Sequence, residues 1–505
     1  MIAFLRNTWR GLTSMRTALT LLFLLALAAM PGALLPQRSL NSAKVNEYVA
    51  EHGWWGELLL ELGFFEVYGT PWFAAIYLLL FTSLVGCLLP RTWEYFKQMR
   101  AKPVLTPRNL SRMPHHVQAE LDITPEEAIG RARRALRGWR MDAGEDTVSA
   151  ERGFLRETGN LVFHFALLGL LVSFALGKMF SYEGQVIVQA DGGQFCNGGI
   201  FNYDSFRPGL RIDGTDLTPF CVEIGQFSAE YLENGQPVGF QADIRYQSGD
   251  DLAANAWKPY TLQVNHPLRT EGDRVYLLGH GYTPTFTVTF PNGEKRTQGI
   301  QWLPSDQITL ASEGATKFDP PGITDSETRR KNQIAVTGLL APTPLLHGNI
   351  LTSKFPALNN PMVAVDVYRG DLGVDDGRGQ SIFSIDQKMV DQGRLAKVAR
   401  KNLALGEEIA LDDGTKVRFD SVHDWVSLQV SHDPTQGYVL AFAVLIILGL
   451  GVTLTVKRRR VWVRATRLED GRTLVEVGGL ARTDQAGYGE EFTRLARAVL
   501  NEEKS

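Results

Sequence analysis

The sequence predicts a polytopic α-helical membrane protein with four transmembrane helices, a large β-rich extracytoplasmic domain and small cytoplasmic α+β segments. Three observations carry this reading. Among 505 residues, the windows 17–37, 67–90, 158–177 and 434–456 contain no Asp, Glu, Lys or Arg and are strongly apolar. Lys and Arg crowd into alternate segments between those windows. The stretch 178–433 alternates β-branched and aromatic residues with polar ones, punctuated by turn dipeptides. At 44% hydrophobic and 21% charged, the average composition is that of an ordinary globular chain, so the signal lies in distribution. A net charge of -3 gives no general attraction for nucleic acid, and none is expected as a partner.

Each window can cross the bilayer, because roughly 20 apolar helical residues span its ~30 Å of hydrocarbon. Lys and Arg number 3 in 1–16, 13 in 91–157 and 11 in 457–505, but only 2 in 38–66, which also holds five Glu. Basic flanks stay on the cytoplasmic side. The expected arrangement is a multi-pass protein of the cell (plasma) membrane with both termini cytoplasmic. Segments 1–16, 91–157 and 457–505 then lie inside, and 38–66 and 178–433 outside. Arg6, Arg10 and Arg16 ahead of an apolar core also fit a signal peptide, but its removal would leave an odd number of crossings.

In 38–66, the amphipathic run around Trp54 and Trp55 predicts an interfacial helix with its indoles at headgroup level. In 91–157, Thr124 followed by Pro125 and Glu127 is a helix start with a capping box, opening a helix to about Trp139 between strands at 116–122 and 147–152. The tail reads as strands 461–467 and 472–477 around an Asp-Gly turn, then a helix from about 489 to 501. These two inside segments are candidates for one α+β unit. Outside, Asn-Gly and Asp-Gly at 234–235, 292–293 and 413–414 are hairpin chemistry. Strands are expected at 219–231, 240–247, 274–290 and 406–422, giving a sandwich or barrel-like cap. Loops are expected at 249–257 and 313–333, and in the glycine-rich run 191–199. The run 457–460, one Lys and three Arg, reads as a stop-transfer anchor.

The four windows contain one histidine, His164, in the third. An imidazole at that depth is costly enough to suggest function. It fits an axial ligand to haem iron, a proton relay, or a hydrogen bond between helices. Asn160, Leu161, Leu167, Leu168 and Leu171 share its face and offer one polar partner and an apolar wall. A second axial histidine would have to come from another protein. His266, His280, His423 and His432 lack metal-ligand spacing and read as structural or surface residues. Cys196 and Cys221 fall in the outside segment; they are either two buried thiols or a disulfide, whose closure would contribute about 3 kcal/mol in an oxidising compartment. There is no C-x-x-C, and no nucleophile elbow, Walker loop or paired-carboxylate site.

Several local patterns resemble one family. RETGNLVFH at 156–164, VNHPL at 264–268, VYLLGHGY at 275–282 and DPTQG at 433–437 are similar to segments of the ResB (CcsB) family of system II cytochrome c maturation proteins. The resemblance extends over essentially the whole chain. It implies a partner membrane protein of the CcsA (ResC) type with a tryptophan-rich haem-handling motif, apocytochrome c as client, and transient b-type haem as the bound group. It also implies that His164 ligates the iron, with Asn160 beside it. Trp54 and Trp55 do not match the partner's motif. On this reading the chain is a non-catalytic subunit of a cytochrome c haem lyase complex. Two other classes stay open: a thiol-redox subunit using Cys196 and Cys221 to keep apocytochrome cysteines reduced, and a membrane-anchored extracellular binding or sensing protein.

Overall fold

The computed structural model describes residues 2–38, 42–375, 381–481 and 487–500. The chain divides into two units, one formed by 1–176 with 435–505 and the other by 177–434.

The first unit holds most of the apolar helices. Among the described residues, four helices are long and apolar enough to cross a membrane: Met15–Leu34, Pro71–Arg100, Leu155–Phe180 and Gln436–Thr455. Their starts follow from local chemistry. Ser14 and Thr70 accept hydrogen bonds from the backbone N–H groups of Thr17 and Phe73, and Pro71 occupies the first helical position, where its missing N–H costs nothing. The second helix runs ten residues past the apolar window 67–90, to Arg100. At 1.5 Å per residue its 30 residues reach about 45 Å, longer than the hydrocarbon layer. Helix Trp54–Glu61 covers the amphipathic run expected to be helical, and a second helix, Ser42–His52, precedes it. Val45, Leu59 and Phe65 close a small core between them, while Trp54 and Trp55 remain exposed.

The two polar segments of this unit, about 300 residues apart in sequence, form one antiparallel sheet. Its order is His115–Leu121, Thr473–Ala481, Arg459–Arg467, Thr147–Arg152, Arg140–Ala143. The helices Pro125–Ala135 and Tyr488–Leu500 supply Ala128, Ile129, Phe492 and Val499 to a core with Val148, Val463 and Val477. Thr124 caps the first of these, accepting from Glu127 N at 3.2 Å. That helix stops short of Trp139, and a strand absent from the sequence reading, Arg140–Ala143, begins just after it.

The second unit is β-rich and turns on two 17-residue strands, Asp273–Thr289 and Lys416–His432, paired antiparallel along their length. The ladder carries register irregularities at Leu277/Gly279 and Thr285/Phe286. A bulge shifts which residues face inward. Before it, Val275 and Leu277 enter one core with Val186, Val222, Ile244 and Leu428; beyond it, Phe286 and Val288 enter another with Trp302, Val336, Val365 and Phe419. Strands 194–197, 220–231, 237–248 and 258–263 cover the first core, and a five-stranded sheet from 303 to 404 covers the second. Three expected loops are corrected here. Stretch 313–333 contains most of strand Ser312–Phe318 and helix Ser326–Lys331; 249–257 contains helix Asp250–Ala254; and 191–199 contains strand Gln194–Asn197. Inward-facing alanine, threonine and phenylalanine, and the N-cap Asp325, outweighed the glycine and proline there.

Candidate functional site in the third span

Helix Leu155–Phe180 is leucine-rich, free of proline, and places His164 ~14 Å along its axis from Leu155. The Nδ1–H of His164 donates to the carbonyl of Asn160 at 2.7 Å, one turn back. A carbonyl can only accept, so Nδ1 carries a proton, and in the neutral ring Nε2 presents its lone pair. Nε2 has no hydrogen-bond partner among the described residues, and the Phe163 ring stands edge-on at 5.1 Å. The side-chain amide nitrogen of Asn160 is buried and also lacks a partner. Asn160 thus fixes the histidine through its main chain and keeps a spare donor beside it.

The surrounding contacts show where the neighbouring spans pack. Gly159 and Gly449 bring the third and fourth spans to backbone contact: a Cβ on Gly159 would lie 2.8 Å from the Gly449 carbonyl oxygen. Phe442 covers Gly169 further along. The second span contributes Tyr77, whose hydroxyl donates to the Leu171 carbonyl, and Tyr95, which bonds Thr158. Glu157 ties the foot to Arg458 at 3.5 Å and Arg91 at 3.7 Å. At 100° per residue, His164 points about 140° away from the glycine crossing. A cavity of about 570 Å³ lies at the same foot, lined by Tyr95, Met99, Arg140, Phe154, Thr158 and Lys457 among others.

Among the described residues no group of three or more His, Cys, Asp or Glu could hold a metal ion. In the four apolar helices, among the described residues, His164 is the one imidazole, and the Asn160 carbonyl fixes its ring. A free Nε2 whose opposite nitrogen is fixed by a carbonyl is the usual arrangement of a ligating histidine.

The other singled-out residues lie in the β-rich unit. Cys196 and Cys221 are directly opposite in the ladder of 194–197 with 220–231, their Cα atoms 4.1 Å apart and their sulfurs at bonding distance. His280 is buried among Phe227, Phe240 and Tyr282, with Nε2 on the Tyr231 hydroxyl at 2.5 Å. Burial pushes its pKa down to about 4. Burial, helped by Asp191, lifts neighbouring Asp424 to about 6. His423 bonds Ser421. His432 belongs to a network that sequence reasoning missed. Its Nδ1 bonds the buried Asp273 carboxylate at 2.7 Å, which raises its pKa, and Tyr182 and Asn197 donate to the other carboxylate oxygen at 2.8 and 3.2 Å. The signal was present: Asp273 shares the inward parity of Val275 and Leu277.

The sequence pattern of the ResB-like family matches residues 15–493. This chain belongs to the ResB-like family. Its relatives include two proteins named cytochrome c biogenesis protein CcsB along nearly their whole length. One, from Synechococcus sp. (strain JA-3-3Ab), is 26% identical over 97% of this chain and 89% of that protein. The other, from Synechococcus sp. (strain CC9605), is 24% identical over 97% and 95%. A third relative of that name, from Synechococcus sp. (strain JA-2-3B'a(2-13)), is 25% identical, but the match spans 52% of this chain and 55% of that protein. As a ResB-like protein the chain combines four apolar helices with a β-rich unit.

Proposed function

We propose that this ResB-like protein serves cytochrome c biogenesis by binding haem in the membrane and presenting it for attachment to apocytochrome c. It does so with a CcsA/ResC-type partner that supplies the second axial ligand. The observation that carries this reading is the unpaired Nε2 of His164, held by the Asn160 carbonyl in an otherwise apolar span. Haem is the cargo: its macrocycle suits the leucine wall, its iron suits an imidazole, and its carboxylates suit Arg140, Arg152 and Lys457 in the cavity at the foot of the helix, which Glu151 and Glu491 also line. The distribution of basic residues supports a reading with both termini in the cytoplasm and 178–433 outside the plasma membrane. There, Cys196 and Cys221 form a structural disulfide on a sheet edge.

The test is an absorption spectrum of the complex purified with its partner. A bis-imidazole haem is expected, and His164→Ala should abolish it while protein abundance is maintained. Unchanged haem content and spectrum in that variant would remove His164 from the mechanism.

A further inference from the structure

The end of the third span is closed in an unusual way. The last carbonyls of a helix lack intrahelical partners and need water or another donor. Here a strap from the β-rich unit supplies them: Leu210 N donates to Lys178 O at 3.2 Å, Arg211 N to Met179 O at 2.9 Å, and Gly209 N to Ser181 O at 2.7 Å. The strap follows strand Ser205–Pro208, whose Pro208 lies opposite Tyr182 at the start of Tyr182–Gln189. Gly209 permits the approach, because a Cβ there would sit 2.6 Å from the Ser181 oxygen and 2.7 Å from the Met179 oxygen.

These bonds set the strap's height. The charge-free window ends at 177, and its 20 residues at 1.5 Å each match the ~30 Å hydrocarbon layer. Residues 178–181, and the strap bonded to them, therefore lie at the headgroup boundary. Leu210 is 78% exposed there, Phe180 is exposed beside it, and Lys178 and Arg211 are exposed cations on the same two segments. An apolar side chain this open, flanked by long basic ones, is the composition of an interfacial anchor.

We propose that strap 208–212 is a membrane-docking element of the β-rich unit. Leu210 and Phe180 enter the acyl boundary of the phospholipid leaflet, and Lys178 and Arg211 contact the phosphates. The occupant is lipid because the strap is bonded to a spanning helix at the depth where that helix leaves the hydrocarbon.

The experiment places a nitroxide on Leu210→Cys in the full chain, with Cys87→Ser to remove the other free thiol. The protein sits in nanodiscs of phosphatidylcholine with a minority of phosphatidylglycerol. Val238→Cys, on an exposed strand position, is the control. Collisions with oxygen should exceed those with a water-soluble nickel complex several-fold at 210, and the order should reverse at 238. Phe180→Cys gives the same reading if Leu210→Cys does not accumulate. Preferential collision with nickel at 210 overturns the proposal. So does protection from both reagents, which would mean that protein covers the strap.

Discussion

His164 and His280 both sit among apolar side chains, yet they differ in what meets Nε2. In the β-rich unit, Nε2 of His280 is closed by the Tyr231 hydroxyl and walled by aromatic rings. In the third span, the backbone takes Nδ1 and Nε2 is left open. A core histidine of the first kind locks a packing arrangement. One of the second kind at membrane depth is an unfilled valence, costly unless something fills it. Composition cannot separate the two; partner atoms can.

The comparison breaks most visibly under alanine at each position. His164→Ala should lower co-purified haem at least tenfold with little change in thermal stability. His280→Ala should leave haem unchanged and lower stability by about 2–3 kcal/mol, since it opens a cavity among rings. Spectroscopy with thermal unfolding in detergent separates these outcomes, and the reverse pattern would invert the assignment.

Tyr231→Phe should cost about 1–3 kcal/mol, because it leaves a buried ring nitrogen unpaired, again without touching haem. A smaller effect is pH-dependent. His280 falls to about 4 in the folded protein from about 6.5 unfolded, so the unfolded state binds more protons between those values and stability rises with pH. Asp424 moves the other way, from 3.8 to about 6; there the folded state binds more protons and stability falls as pH rises. Over pH 4 to 6 the two slopes oppose. Unfolding midpoints should be nearly flat in the parent chain, rise with pH in Asp424→Asn, and fall with pH in His280→Gln.

Least of all, Asn160→Leu removes the spare amide donor but keeps the carbonyl that orients His164. A haem titration should show a few-fold loss of affinity. No change would mean that the amide contributes nothing to the bound state.

Much of this was legible beforehand for physical reasons. Charge-free windows must be helices in lipid, and the capping of Thr124 and the turn glycines act over a few residues, so the sequence carries them locally. Pairing of Thr147–Arg152 with Arg459–Arg467 has no local signature, since register across 300 residues depends on a core that exists only once both segments meet. The same limit hid the Asp273 network, whose members come from four separate strands. Residue 164 was visible because charge and depth single it out. That its free atom is Nε2 was not, because it depends on a rotamer, and Asn160 acts through an atom every residue possesses.

The split sheet imposes an order on biosynthesis. Strands His115–Leu121 and Thr147–Arg152 emerge from the ribosome long before Arg459–Arg467 and Thr473–Ala481, which pair with them. At 5–20 residues per second the wait is roughly 15–60 s. During that interval the nascent chain carries unpaired strand edges. A message truncated before the final strands would leave those edges permanently open, a ready target for quality-control proteases.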